Sequence, residues 1–246
     1  MRRFSETEIL RVWEHGLAQH PLDRALTILA VAHQGESMER LAQLTIGERD
    51  ALLLMVREKN FGTRLQGFAE CPACRERLEF GFDLDAIKTA AAVDTNAREH
   101  RLEIAEYVVR FRLPTSVDLA AVVACAEPEP ARKLLLERCL LSVRKNDADW
   151  ETPSTSLPET VTATLAAEMQ TRDPQADVQL NLSCAACGHA WQSPFDILAF
   201  LWAEIQALAK RLLREIHMLA WAYGWREADI LALHPLRRQM YLSMVT

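Results

Sequence analysis

Apolar residues recur at helical spacing along most of this chain and change to strict alternation on either side of two cysteine pairs. Leu22, Ala25, Leu26, Leu29 and Ala32 share one face of a segment that opens at Pro21 and stops at Gly35, the pattern of an amphipathic helix. Ahead of it, Ser5-x-x-Glu8 forms a capping box for a helix through Ala18. Thr45-Ile-Gly-Glu48 opens a third helix, with residues 52–56 as its buried part. The strongest signal covers 195–223, where Leu198, Leu201, Ile205, Leu208, Leu212, Ile216 and Leu219 keep the 3.6-residue period. Gly224 ends that helix in the usual C-cap position, and two short helices follow at 225–233 and 235–245.

Around the first cysteine pair, Leu78, Phe80 and Phe82 alternate with Glu79 and Gly81, and Val178, Leu180 and Leu182 alternate before the second. Alternation beside each pair predicts two β-hairpins with the cysteines at their tips. Both hairpins exit into Phe-Asp-aliphatic, at Phe82-Asp83-Leu84 and Phe195-Asp196-Ile197, where the Asp can cap a following helix. One small unit looks duplicated. Between the hairpins the pattern predicts a short helix at 83–92 and one or two strands over 101–113. Helices are predicted at 116–126, 128–143 and 157–169, with 145–158 the most loop-like stretch and the candidate hinge.

The fold class is therefore α+β, mainly α: a helical protein with a small zinc-ribbon-like pair of β-hairpins and a long C-terminal helix. Its expected parts are N-terminal helices (1–60), a ribbon-like module (61–83 with 176–196), an inserted mixed α/β segment (84–175) and C-terminal helices (197–246).

The pairs Cys71-Pro-Ala-Cys74 and Cys184-Ala-Ala-Cys187 each have the C-x2-C spacing that turns two thiolates onto one face of a tight knuckle. Four thiolates make a closed tetrahedral set suited to structural zinc. Two unrelated reduced pairs, or a local disulfide within each, are the alternatives. Residues 75–183 lie between the pairs, so a shared zinc would staple distant parts of the chain. His189 adjoins the second knuckle as a possible substitute ligand, while Cys125 and Cys139 lie in helical patterns as small buried hydrophobes.

Composition narrows the function classes. The chain has 246 residues, 28 basic and 34 acidic side chains and a net charge of −6, a balance that argues against a general binder of nucleic acid or anionic membrane. No apolar signal segment follows Met1, and no apolar run is long enough to span a bilayer, so a reducing cytoplasmic setting is expected, where paired cysteines favour metal. No two of the eight glycines are two residues apart, which excludes a G-x-G phosphate loop. Gly62 and Gly67 have P-loop spacing, but Phe68-Ala69 stands where Lys and Ser or Thr are needed. With no G-x-S-x-G or H-E-x-x-H either, no enzyme and no small-molecule substrate is expected.

Several motifs resemble those of the T4-type baseplate hub and hub-assembly proteins of contractile-tailed phages and related contractile injection systems. They begin with Ile46-Gly-Glu-Arg-Asp-Ala-Leu-Leu-Leu54, Phe61-Gly-x-Arg-Leu65 and the first knuckle. They continue through Phe111-Arg-Leu-Pro-Thr115 with Asp118-Leu119, Asp173-Pro-Gln-Ala-Asp177, Phe195-Asp-Ile197 and Phe200-Leu-Trp-Ala-Glu204. Arg211-Leu-Leu-Arg-Glu-Ile-His217, Tyr223-Gly-Trp-Arg-Glu-Ala-Asp-Ile-Leu231 and Arg237-Arg-Gln-Met-Tyr-Leu242 complete the likeness. One departure is Arg75, where the first knuckle of that family usually has Gly. The resemblance implies a component or assembly factor that binds other tail proteins, in the cytoplasm or in an assembled particle. The alternative class is a zinc-ribbon regulator of nucleic acid, but Glu70, Arg75, Glu76, Arg77 and Glu79 give the knuckle mixed charge. A helix-turn-helix reading of the last helices would put Arg237 and Arg238 on phosphates, and two arginines are few for that.

Phe200, Trp202 and Trp221 do not all fall on the Leu198, Ile205, Leu212 and Ile216 face of the long helix. Either that helix is buried on two sides by its own chain, or part of it joins the last two helices in an exposed partner surface. Trp221, Trp225, Arg237, Arg238 and Tyr241 are the candidate partner-binding residues.

Overall fold

Side-chain caps set where the N-terminal helices begin. The computed structural model describes residues 2–88, 98–146, 148–150 and 157–245. In α1 (Glu6–Gly16) the Ser5 hydroxyl accepts from the Glu8 amide and the Glu8 carboxylate accepts from the Ser5 amide. Thr45 and Glu48 repeat this box at α4 (Ile46–Phe61). Pro21 opens α2 (Pro21–Ala32), and Ser37 caps a short α3 (Met38–Ala42) that the sequence reading lacks. Five residues are too few to reveal a period.

The long helix α8 (Ile197–Tyr223) is capped by Asp196 and ends at Gly224, whose φ of 66° is left-handed. Ile9, Val12, Ala25, Ile28, Leu53 and Leu54 pack with Leu201, Ile205, Leu212 and Leu219 of α8 in one hydrophobic core. Arg57, 3% exposed, lies at its edge. Its guanidinium donates to both Glu204 carboxylate oxygens (3.0 and 2.8 Å) and to the carbonyls of Gly62 and Arg64. That fork ties α4 to α8 and to the start of the first hairpin.

The first hairpin pairs β1 (Arg64–Glu70) with β2 (Arg77–Asp83). Between the hairpins, β3 (His100–Ile104), β4 (Tyr107–Phe111), β5 (Leu140–Lys145) and β6 (Ala148–Trp150) form an antiparallel sheet in that order. With it go α5 (Ser116–Val122), α6 (Pro128–Cys139) and α7 (Glu159–Arg172). Tyr107, Val109, Phe111, Leu136, Val143 and Leu165 make a second hydrophobic core here.

Two expectations change in this region. The helix expected over 128–143 stops at Cys139, and Leu140 turns extended to pair β5 with β4, Val109 opposite Val143. Pairing with a strand distant in sequence overrides a local pattern that suits either state. The expected loop at 145–158 contains the end of β5 and all of β6, with 147 and 151–156 outside the described residues. Of the helix expected at 83–92, only a 3-10 turn at Leu84–Ala86 is present before residue 88, and 89–92 lie outside the described residues.

The second hairpin pairs β7 (Gln179–Ser183) with β8 (Ala190–Pro194). After α8 come α9 (Glu227–Ala232) and α10 (Pro235–Leu242). The two cores meet at the N-terminus of α4. Thr45 bridges Thr115, the Ile46 amide donates to Pro114, and the Gly47 amide donates to the buried Asp173 carboxylate at 3.0 Å. An anion at a helix N-terminus is favourable.

Candidate metal centre

Each cysteine pair sits on the turn of its hairpin, and the two turns are built alike. The first cysteine's amide donates to the carbonyl five residues on, Cys71 to Glu76 and Cys184 to His189. Its carbonyl accepts from the amide four residues on, Arg75 and Gly188, at 2.8 Å in both turns. Those two residues have φ of 60° and 73°, left-handed values that glycine adopts freely and other residues adopt at a cost.

An aromatic chain aligns the hairpins. Phe80 stacks with Phe82, Phe82 meets Phe195 edge-on at 5.7 Å, and Phe195 contacts Phe200 of α8. Gly67 leaves room for this packing, since a Cβ there would stand 2.8 Å from Phe80 and 3.1 Å from Phe200.

The result is a cluster of Cys71, Cys74, Cys184 and Cys187 with all four sulfurs within 4.8 Å of one another. Across the hairpins, Cys71 to Cys187 is 3.7 Å and Cys74 to Cys184 is 3.6 Å. A tetrahedron with 2.3 Å metal–sulfur bonds has an edge of about 3.8 Å. All four cysteines are free of disulfides, and the cluster joins the pairs rather than leaving them unrelated. The donor set and spacing fit a borderline or soft cation held by four thiolates.

Electrostatics agree with a site completed by a cation. Burial raises the Cys71 thiol, but the amides of Cys74 and Ala73 donate to its sulfur and hold it at about 7. The Glu76 amide lowers Cys74, yet the sulfurs of Cys187, Cys184 and Cys71 outweigh it and push Cys74 up to about 12. Four adjacent thiols resist joint ionisation unless a positive charge stands among them. Cys71 and Cys184 are buried, while Cys74 and Cys187 face outward.

The other singled-out residues scatter. His189 stands outside the cluster and stacks against Trp191. Cys139 is buried, which pushes its thiol to about 11, whereas Cys125 is only half-buried. His217 is exposed on α8. Trp225 and Tyr241 are half-buried and pack against each other and Tyr223, with ring centroids 4.6–5.7 Å apart. Phe200 and Trp202 pack against the core, Trp202 beneath Arg24 at 4.1 Å.

Arg238 is 2% exposed and donates to Glu215 at 2.8 Å and to both oxygens of Glu6 at 2.5 Å. It therefore clamps α10 to α1 and α8 and is spent inside the protein. Of the five candidate partner residues, Trp221 and Arg237 are exposed, and Trp221 is 86% exposed.

These features define an α+β, mainly helical protein whose distant segments meet at a four-cysteine, ribbon-like pair of hairpins. The chain belongs to the T4 bacteriophage base plate protein family, whose model matches residues 26–202 and so takes in both knuckles. No curated protein and no solved structure matches it. Among the described residues, no helix is long and apolar enough to cross a membrane.

Proposed function

We propose that this chain is a non-enzymatic baseplate component or hub-assembly factor of a contractile tail or injection system. It works by binding other tail proteins, in the cytoplasm during assembly or in the finished particle. Its shape is held by a structural zinc at Cys71, Cys74, Cys184 and Cys187. The observation that carries this reading is the convergence of four sulfurs from two distant hairpins within a chain of the baseplate family.

Bound zinc would supply a cross-link between the two hairpins, with no coordination position left open for chemistry. The chain's own residues prepare for it. The amides of Ala73, Cys74, Glu76 and His189 donate to the sulfurs and favour their ionised form. The Phe80, Phe82, Phe195 and Phe200 cluster fixes the approach of one hairpin to the other.

The nucleic-acid alternative draws less support, because Arg238 is spent on Glu6 and Glu215. Quantitative mass spectrometry of purified particles, with a deletion strain, tests the proposal. Stoichiometric presence identifies a component, and absence combined with failed assembly on deletion identifies an assembly factor. Normal particles that neither contain nor require the chain would overturn the reading.

A further inference from the structure

A groove of about 370 Å³ separates the C-terminal half of α8 from α10. Arg211, Arg214 and Met218 form one wall, Gln239 and Ser243 the other, with Glu215 between them. Arg214, Met218 and Trp221 recur at i, i+4 and i+7, so the exposed indole continues the first wall. Leu236 and Met240, one turn apart, are 72% and 63% exposed. On the helix wheel they follow directly on the side of Gln239 and Ser243, and they extend the second wall outward.

Large apolar side chains exposed together beside a groove mark a partner site. Charge identifies what fits. Residues 205–246 carry six Lys and Arg side chains against three acidic ones, in a chain of net charge −6. Glu215, the acidic group in the groove, is engaged by Arg238 at 2.8 Å, Gln239 at 3.1 Å and Arg211 at 3.6 Å. Arg214 has no ion-pair partner among the described residues. The groove is thus apolar along its rim and basic on one wall.

We propose that this groove docks an acidic amphipathic helix of another baseplate protein. The helix lays its apolar face on Trp221, Leu236 and Met240 and turns carboxylates toward Arg211 and Arg214. A slot between two helices with apolar contacts at one-turn spacing is the geometry of helix-in-groove recognition. The inference rests on the proposed function, but it concerns residues beyond the family match, which ends at 202.

The test places benzoylphenylalanine at position 240 of the full chain and irradiates cells during particle assembly. The expected cross-link joins position 240 to one acidic amphipathic segment of another tail protein. Arg211→Glu with Arg214→Glu lowers its yield about tenfold or more, and Arg214→Gln does so more mildly. All variants keep the parent's metal content, and Arg214→Gln, which leaves the Arg211–Glu215 pair intact, also keeps its melting temperature. Reversing the acidic residues of the cross-linked segment to Lys restores the yield with the Glu variant. A cross-link to a second copy of this chain, to a segment without acidic residues, or to nothing in cells whose particles contain or require the chain overturns this inference alone. Particles that neither contain nor require it overturn the proposed function as well.

Discussion

Gly47 occupies a position where no side chain fits. A Cβ there would lie 1.7 Å from the Asp173 carboxylate and 3.1 Å from the Ala176 amide nitrogen. Gly47→Ala is expected to displace Asp173, remove the bond to the Gly47 amide and destabilise the protein by about 2 kcal/mol or more in urea unfolding. Asp118 is a second sensitive residue. Burial raises its carboxyl, but Arg112 and the Thr115 amide and hydroxyl outweigh that and hold it far below its ordinary value. A lowered carboxylate contributes stability that is full above the unfolded value of 3.8 and is lost as pH falls through the folded value. Asp173 runs the other way, since burial raises it, so the variant isolates the effect. Asp118→Asn should cost about 3 kcal/mol at pH 7, with a smaller loss on acidification below pH ~4 than the parent shows. Neither role was readable beforehand. Asp173 lies far from Gly47 in sequence, and although Thr115-x-x-Asp118 has capping-box spacing, the burial of Asp118 and its pairing with Arg138 come from tertiary packing.

At the scale of elements, the hairpins and α8 were legible because several local signals agreed. Alternation, a C-x2-C turn and an exit Asp coincide in each hairpin, while α8 combines a long period with a capping Asp and a terminal Gly. α3 and β5 were not legible: the first is too short for a period, and the second is chosen by its pairing with β4. The knuckles show how the same element tolerates different residues. Arg75 and Gly188 hold equivalent left-handed positions with identical 2.8 Å bonds. Arg75→Gly should therefore stabilise the protein by about 1 kcal/mol, read as a higher denaturant midpoint with an unchanged slope. No gain would mean that the first turn relieves its strain elsewhere.

Across the whole molecule, two hydrophobic cores are joined by polar contacts at the start of α4, and the hairpins before and after the inserted sheet close at four cysteines. The four cysteines were legible as a set because thiolate chemistry requires their spacing. The groove between α8 and α10 was not, since the sequence marks apolar and basic residues without saying which ones the fold leaves exposed. Arg238 makes the point: beside the exposed Arg237, it is buried and paired twice. Because the cysteines come from segments separated by residues 75–183, the proposed zinc would couple its binding to folding of the chain as a whole. Native mass spectrometry with a matched melting curve, for the parent and Cys184→Ser, tests this most directly. The account predicts about one zinc per parent chain, its loss in the variant, and a melting temperature lower by about 10 °C or more. A parent that purifies without metal and melts at the same temperature as Cys184→Ser would contradict it.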